Sequence, residues 1–423
     1  MASNQEDKEK DKQEFIREHI KAKPLNKKRI LLYMGLAVLL GILFGASAFF
    51  TEHFLVNTLS KDGAATEEEP EEEASADAQK EESEEEEASE PEVIVEQKSL
   101  ELSDYQLLQN ELYDVGQDAN HSIVTVSLVS RGTDPFGSAY EDEDQNMGLV
   151  ISKDDSQIQI LTQNITLKKG QNIQVTFEDG RNQEGQLLSG DSVTGFCIIN
   201  VPTEGMEEET LSQLETAVFN RASTVSQGQI VVAAGSPLGT IYSVLDGTVT
   251  SVNNHISLED GNFTIYTTTM IGSENGSGIL LDTNGKVIGI MRMEYNNESD
   301  RNTLTAIAIS DLYPTIEKLA KGEKIAYLGL NISTITASMA EEYSIPQGVY
   351  VRSVSENTPA LMAGIQAGDV ITKMGSDEIK TAADFRSHLL KMSDGSTETI
   401  QVMRSGNGEY TEIGCTVTYG TKK

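Results

Sequence analysis

The sequence predicts a mostly β protein in two folded parts, preceded by one membrane-spanning helix and a disordered acidic linker. Three observations carry that prediction. Ten short apolar runs recur between residues 122 and 291 with Gly-rich turns between them, the pattern of an all-β barrel or sandwich. Beyond residue 323 the texture changes to strands mixed with two short helices, an α+β pattern. Residues 30–50 form 21 successive residues without a charge.

At about 1.5 Å per residue, a helix over 30–50 spans roughly 30 Å, the thickness of a bilayer's hydrocarbon core. Lys21, Lys23, Lys27, Lys28 and Arg29 precede it, and no Lys or Arg follows until Lys61. The positive-inside rule therefore places 1–29 in the cytoplasm and the rest of the chain outside, a single-pass topology at the cell membrane. Ala46-Ser47-Ala48 also fits a signal-peptide cleavage site; the length of the apolar run and the 29 residues before it favour an uncleaved anchor.

The linker is 51–100. The formal net charge of the chain is -35, and between Glu67 and Glu96 there are sixteen acidic residues against the single Lys80. Such a block repels itself and buries no core, so it reads as a solvated spacer. The same acidity argues against nucleic acid, which needs Lys and Arg on phosphate. The two cysteines, Cys197 and Cys415, fall in different parts of the chain and read as small buried residues in strands.

The first folded part is 101–322. A helix is expected over 105–120, followed by strands over 122–129, 148–152, 158–163, 172–180, 195–201, 229–235, 247–252, 263–269, 278–282 and 286–291, with a closing helix over 310–321. The charged stretch 139–144 reads as a loop. The second part is 323–421, with helices near 360–364 and 382–392. Neither part carries a Walker motif, a C-x-x-C pair or an H-E-x-x-H pattern, so no cofactor and no metal is expected.

The runs in 148–290 resemble, in order, those of trypsin-like serine proteases of the HtrA/Deg family. GLVISKD (148–154) is similar to the strand leading to the catalytic histidine, and LTQNIT (161–166) stands where the family writes L-T-N-x-H-V. GDSVTGFCIINV (190–201) resembles the stretch around the catalytic aspartate, AAGSPLG (233–239) the G-(N/S)-P-L-G turn, and TTTMIGSENGSGILLD (267–282) the nucleophile loop. The resemblance implies a chymotrypsin-like double β-barrel. It also implies that the triad positions hold Ile165, Gly195 and Gly276, and that Glu274 replaces an oxyanion-hole glycine. Imidazole must take the serine proton while a carboxylate orients it, and these residues do neither. Ser277, one position further on, is the fallback nucleophile. His121 and His255 match no motif position and read as structural or surface residues.

Residues 327–418 resemble an HtrA-type PDZ domain. Tyr327-Leu328-Gly329-Leu330 matches the carboxylate-binding loop, and Thr358-Pro359-Ala360, Ala363-Gly364-Ile365 and Gly368-Asp369-Val370-Ile371 match the family pattern. The family's Asn-Gly turn has become Gly375-Ser376-Asp377. The resemblance implies that loop amides take a peptide's terminal carboxylate and that Leu330, Asn331 and Ile332 pair with the peptide as an added strand. Phe385 and Leu389, with Leu390, are either the far wall of that groove or core; helical spacing does not separate the two.

The leading expectation is a membrane-anchored extracytoplasmic pseudoprotease that binds C-termini or unfolded segments as a scaffold, adaptor or chaperone-like binder. The alternatives are an active endopeptidase using Ser277, or a regulatory subunit of an active paralogue. HtrA relatives assemble as trimers, which implies a homo-trimer or a hetero-oligomer with such a paralogue.

Overall fold

The computed structural model describes residues 101–422 apart from 134–138, Asn164, Lys169, 222–223, 297–300 and Asn407. The expected cytoplasmic tail, membrane span and acidic linker lie outside the described residues. Among the described residues no helix is long and apolar enough to cross a membrane.

Helix α1 (Leu102–Asn120) starts earlier than its apolar pattern indicated, because Glu101 and Asp104 form a reciprocal capping box that satisfies the first free amides. Six strands follow: β1 (Ile123–Thr133), β2 (Ala139–Lys153), β3 (Gln157–Gln163), β4 (Gln171–Thr176), β5 (Asn182–Asp191) and β6 (Phe196–Pro202). They close into a barrel in the order β1-β2-β3-β6-β5-β4. The stretch 139–144 is not the expected loop: its backbone extends β2, and the register runs on from Ile123 opposite Leu149 to Thr133 opposite Ala139.

A short helix α2 (Glu208–Gln213) leads to β7 (Ile230–Ser236), β8 (Ser243–Leu258), β9 (Gly261–Ile271), β10 (Ser277–Leu281), β11 (Val287–Met291) and β12 (Thr303–Ala308). These close into a second barrel in the order β10-β11-β12-β9-β8-β7. Side-chain alternation divides the apolar residues between layers. Val124, Val126, Ile160 and Ile199 fill the first barrel, while Ile123, Leu161 and Ile198, one position away, join Val232, Ile279 and Ile290 in a cluster between the barrels. Cys197 is a buried free thiol, and burial pushes it up to about 11. Helix α3 (Ile309–Ala320) closes this part with Leu312, Ile316 and Leu319 on the inter-barrel cluster.

Gly322, in the left-handed region at φ +75, turns the chain into the third unit. Its strands are β13 (Leu330–Ile335), β14 (Gly348–Val354), β15 (Val370–Met374), β16 (Asp377–Glu378), β17 (Thr397–Gly406) and β18 (Glu409–Thr418). The sheet order is β13-β14-β15-β17-β18, with β16 paired to β15. Its helices are α4 (Ala337–Tyr343), α5 (Pro359–Met362) and α6 (Ala382–Leu389). Helix α4 escaped the sequence pattern because it buries no side chain; its Thr336 cap accepts from the Met339 amide. Helix α6 stops at Leu389, three residues short of expectation. The carbonyls of Leu390 and Met392 beyond it accept from Lys318 Nζ of α3, each at 2.7 Å.

Candidate functional site

Two places in the fold carry the residues singled out by sequence. The first lies between the barrels, where the ends of β3, β6 and β10 converge. Ile165 lies two residues beyond β3, Gly195 immediately precedes β6, and Gly276 immediately precedes β10. Leu161, Thr162, Gln163, Phe196 and Ser277 line a cleft there of only about 20 Å³.

Ile165 is 7% exposed and packs into the first barrel's core. It is an anchoring side chain, worth about 1.5–3 kcal/mol of burial. Gly195 is in the left-handed region at φ +70, and a Cβ there would lie 2.7 Å from Nη2 of Arg292. The Arg292 guanidinium fills that space. Its Nη1 donates to the carbonyls of Thr194 and Gly195 at 3.1 and 3.2 Å, it packs over the Phe196 ring, and it pairs with Glu294. A cation therefore stands at the position where the resemblance places a catalytic carboxylate.

Gly276 is tighter still. A Cβ would meet the Pro237 carbonyl oxygen at 2.5 Å and the Ser273 oxygen at 2.9 Å, both backbone atoms. The Gly276 N–H, one of the amides an oxyanion hole would aim at a substrate, donates to the Ser273 carbonyl at 2.8 Å. Glu274 is exposed. Ser277 begins β10 opposite Ser236, and none of the described residues hydrogen-bonds its hydroxyl. Among the described histidines, His121 pairs with Glu178, His255 is exposed on β8, and His388 bridges Asp377 and Glu398 in the third unit. None is offered to Ser277 as a base.

The second place is the loop 327–330. Gly329 has φ +83, and a Cβ there would collide with Thr358, so the loop needs glycine for both backbone and space. The Ser355 amide donates to the Gly329 carbonyl and the Ala360 amide to the Leu328 carbonyl, which ties the loop to the start of α5. With its carbonyls held from behind, the amides of Leu328, Gly329 and Leu330 face forward. All three converge on one carboxylate, that of Asp260, at 2.6, 2.9 and 2.8 Å. Asp260 comes from the tip of the β8–β9 hairpin and is fully buried. Burial pushes its carboxyl up to about 6, against the pull of the three amides and of Arg386.

Leu330, Asn331 and Ile332 start β13, which is an edge strand; Leu330 and Ile332 point their side chains into the core, so only backbone groups are left to pair, and those of Leu330 are engaged by Asp260. Phe385 and Leu389 do not line a groove: both are fully buried in the core of the third unit, on the inward face of α6. Leu390 is half-buried against the inter-barrel cluster instead. Sequence reasoning missed Asp260, Arg292 and Arg386. The Asp-Gly pair at 260–261 signals a hairpin turn, but nothing local says where the turn lands.

Two closed six-stranded barrels followed by this sheet define a trypsin-like peptidase domain joined to a PDZ domain. Residues 146–290 match the family model for a trypsin-like peptidase domain and 326–414 that for a PDZ domain. The chain is 27% identical over 278 residues to the serine protease Do-like HtrB of Bacillus subtilis (strain 168), covering 61% of this chain and 59% of that relative. It is 26% identical over 325 residues to HtrA of the same organism, covering 70% of this chain and 71% of that relative. A solved structure of the HtrA-type protease AlgW with a decapeptide shares the fold, with a TM-score of 0.52 at 20% identity over 74% of this chain and 99% of that one. The chain belongs to the HtrA-type family.

Proposed function

We propose that this chain is a non-cleaving member of that family: a membrane-anchored, extracytoplasmic pseudoprotease that binds peptide segments or C-termini through its PDZ domain. The observation that carries the binding half is the loop 328–330, whose three successive amides are held at hydrogen-bonding distance around a carboxylate. The non-cleaving half is supported by the backbone around Gly276, which leaves no room for a nucleophile and engages its own amide. Losing a triad serine or histidine alone costs on the order of 10⁶ in turnover. The relatives named above are described as proteases, so the difference lies in this chain's residues.

The anchor is the 30–50 segment, with 1–29 cytoplasmic. Assembly with further copies, or with a protease-active relative that this chain regulates, belongs to the same reading; the exposed Leu102, Tyr105 and Leu108 of α1 support it.

Two measurements on the full-length chain test the proposal. A fluorophosphonate probe should leave the protein unlabelled; labelling that disappears in Ser277→Ala would replace the proposal with an active endopeptidase. Fluorescent decapeptides with a free C-terminus should bind, and their C-terminal amides should bind at least tenfold more weakly, since a charge-assisted bond to amides is worth about 1.5–3 kcal/mol. Equal binding of acid and amide would remove the loop from the mechanism.

A further inference from the structure

The carboxylate loop already holds a carboxylate, and the chain itself supplies it. Strands β8 and β9, 16 and 11 residues long, carry their turn across to the PDZ domain. There the turn residue Asp260 makes both contacts expected of a peptide's last residue. Its carboxylate takes the amides of Leu328, Gly329 and Leu330, while its own N–H donates to the Leu330 carbonyl at 2.6 Å. Glu259, the other turn residue, accepts from the Tyr327 hydroxyl at 2.7 Å and from Lys422 Nζ at 2.8 Å.

We infer that the Glu259-Asp260 tip is a resident, displaceable ligand of the PDZ loop, which closes the loop to free C-termini until a peptide carboxylate competes it away. The inference rests on the peptide-binding reading above and adds its regulation.

Three features mark the contact as reversible rather than as ordinary domain packing. Asp260 is held at φ +58, a left-handed conformation that a non-glycine residue adopts at some energetic cost. Its counter-charge, Arg386 on α6, is buried, and none of the described residues hydrogen-bonds its Nε or Nη1, while Nη2 donates to Thr315 at 3.0 Å and lies 3.6 Å from Asp191. Buried donors without partners are costly, because they give up water without a replacement bond. A surface shaped for stability alone is served as well by apolar side chains as by such a buried ionic cluster. The docked tip is thus a left-handed turn residue beside a buried cation whose donors it leaves unsatisfied, the kind of ligand a better-fitting carboxylate replaces.

Displacement also has a route into the barrels. With Asp260 gone, Arg386 keeps Asp191 as its neighbouring carboxylate. Asp191 holds the turn before Gly195 through the Val193 amide at 3.1 Å and the Thr194 hydroxyl at 2.8 Å.

The test uses the full-length chain, a pool of fluorescent decapeptides with four randomised C-terminal residues and a free carboxylate, and the same pool amidated. A closed loop lowers apparent affinity by the fraction of chains that are open, so Asp260→Ala should bind the acid pool about tenfold or more tightly than the wild type, with Asp260→Asn between them. Amide hydrogen exchange at 328–330 should quicken in peptide-free Asp260→Ala and slow again when the acid pool is added. In the wild type, saturating acid pool should expose the Asp260 amide to exchange, a readout that needs no variant. Equal affinity of wild type and Asp260→Ala, or an Asp260 amide still protected at saturation, overturns the resident ligand while leaving peptide binding intact. Faster exchange at 328–330 in Asp260→Ala with no peptide bound by either protein keeps the resident ligand and sinks the peptide-binding reading instead.

Discussion

The inter-barrel site and the PDZ loop are both places where backbone amides could hold a negatively charged oxygen, and they have gone opposite ways. Between the barrels, the turn Ser273–Gly276 folds its amide back onto its own carbonyl, and Arg292 occupies the neighbouring space. In the loop 328–330 the carbonyls are tied from behind and the amides point outward at Asp260. The chemistry of the donors is identical, because all are peptide N–H groups. What differs is whether the local turn consumes them or presents them. An anion site made of backbone depends on turn geometry as strictly as a catalytic triad depends on its side chains.

The comparison breaks most visibly if the barrel site can be rebuilt. Ile165→His, Gly195→Asp and Gly276→Ser together should yield no casein hydrolysis and should lower the unfolding free energy by about 3 kcal/mol or more, through overpacking against Pro237 and Arg292 and a polar ring in the core. Measurable hydrolysis by the triple variant would show that the turn reopens. On the other side, Gly329→Ala should cost about 1–3 kcal/mol, from its left-handed φ and the collision with Thr358, and should abolish carboxylate-dependent peptide binding; retained binding would mean that the loop amides are not the site. Arg292→Met should cost about 1–2 kcal/mol by leaving the Thr194 and Gly195 carbonyls without their donor, with peptide affinity unchanged, which denaturant titration and anisotropy would separate.

The smallest effect is a slope with pH. Burial lifts the Asp260 carboxyl to about 6, above its ordinary value near 3.9 in an unfolded chain. The folded protein therefore binds more protons than the unfolded one between about pH 4 and 6, and the stability owed to this group is lost as pH rises through that window. Arg386 and the three amides limit the rise. Subtracting the curve of Asp260→Asn from that of the wild type should expose this negative slope; a difference flat from pH 4 to 7 would mean that Asp260 is solvated.

Much of this was legible in the residue order. The barrels follow from short strands whose apolar positions alternate, as with Ile198 outside and Cys197 and Ile199 inside the first barrel. The loop Tyr327–Leu330 was readable because its glycine has no substitute. The helix α4 was not, since it buries nothing and so leaves no apolar period. Phe385 and Leu389 share a helix face, and only the fold decides that this face meets the sheet rather than a ligand. Asp260 and Arg386 were beyond reach for a different reason. Each is an ordinary charged residue in its own segment, and their partners lie about seventy or more positions away, at Leu328 and Asp191.

The reach of the β8–β9 hairpin has a practical side. Cutting the chain at the joint 321–324 would give a PDZ fragment stripped of Asp260, and its loop would stand open in every molecule. Affinities measured on such a fragment would describe a receptor that the intact chain does not present, and the ligands chosen by it would be ranked without the threshold that the whole protein sets. For this protein the module boundary drawn from sequence is not a functional boundary, because the amides of one domain's loop are occupied by a residue of the other.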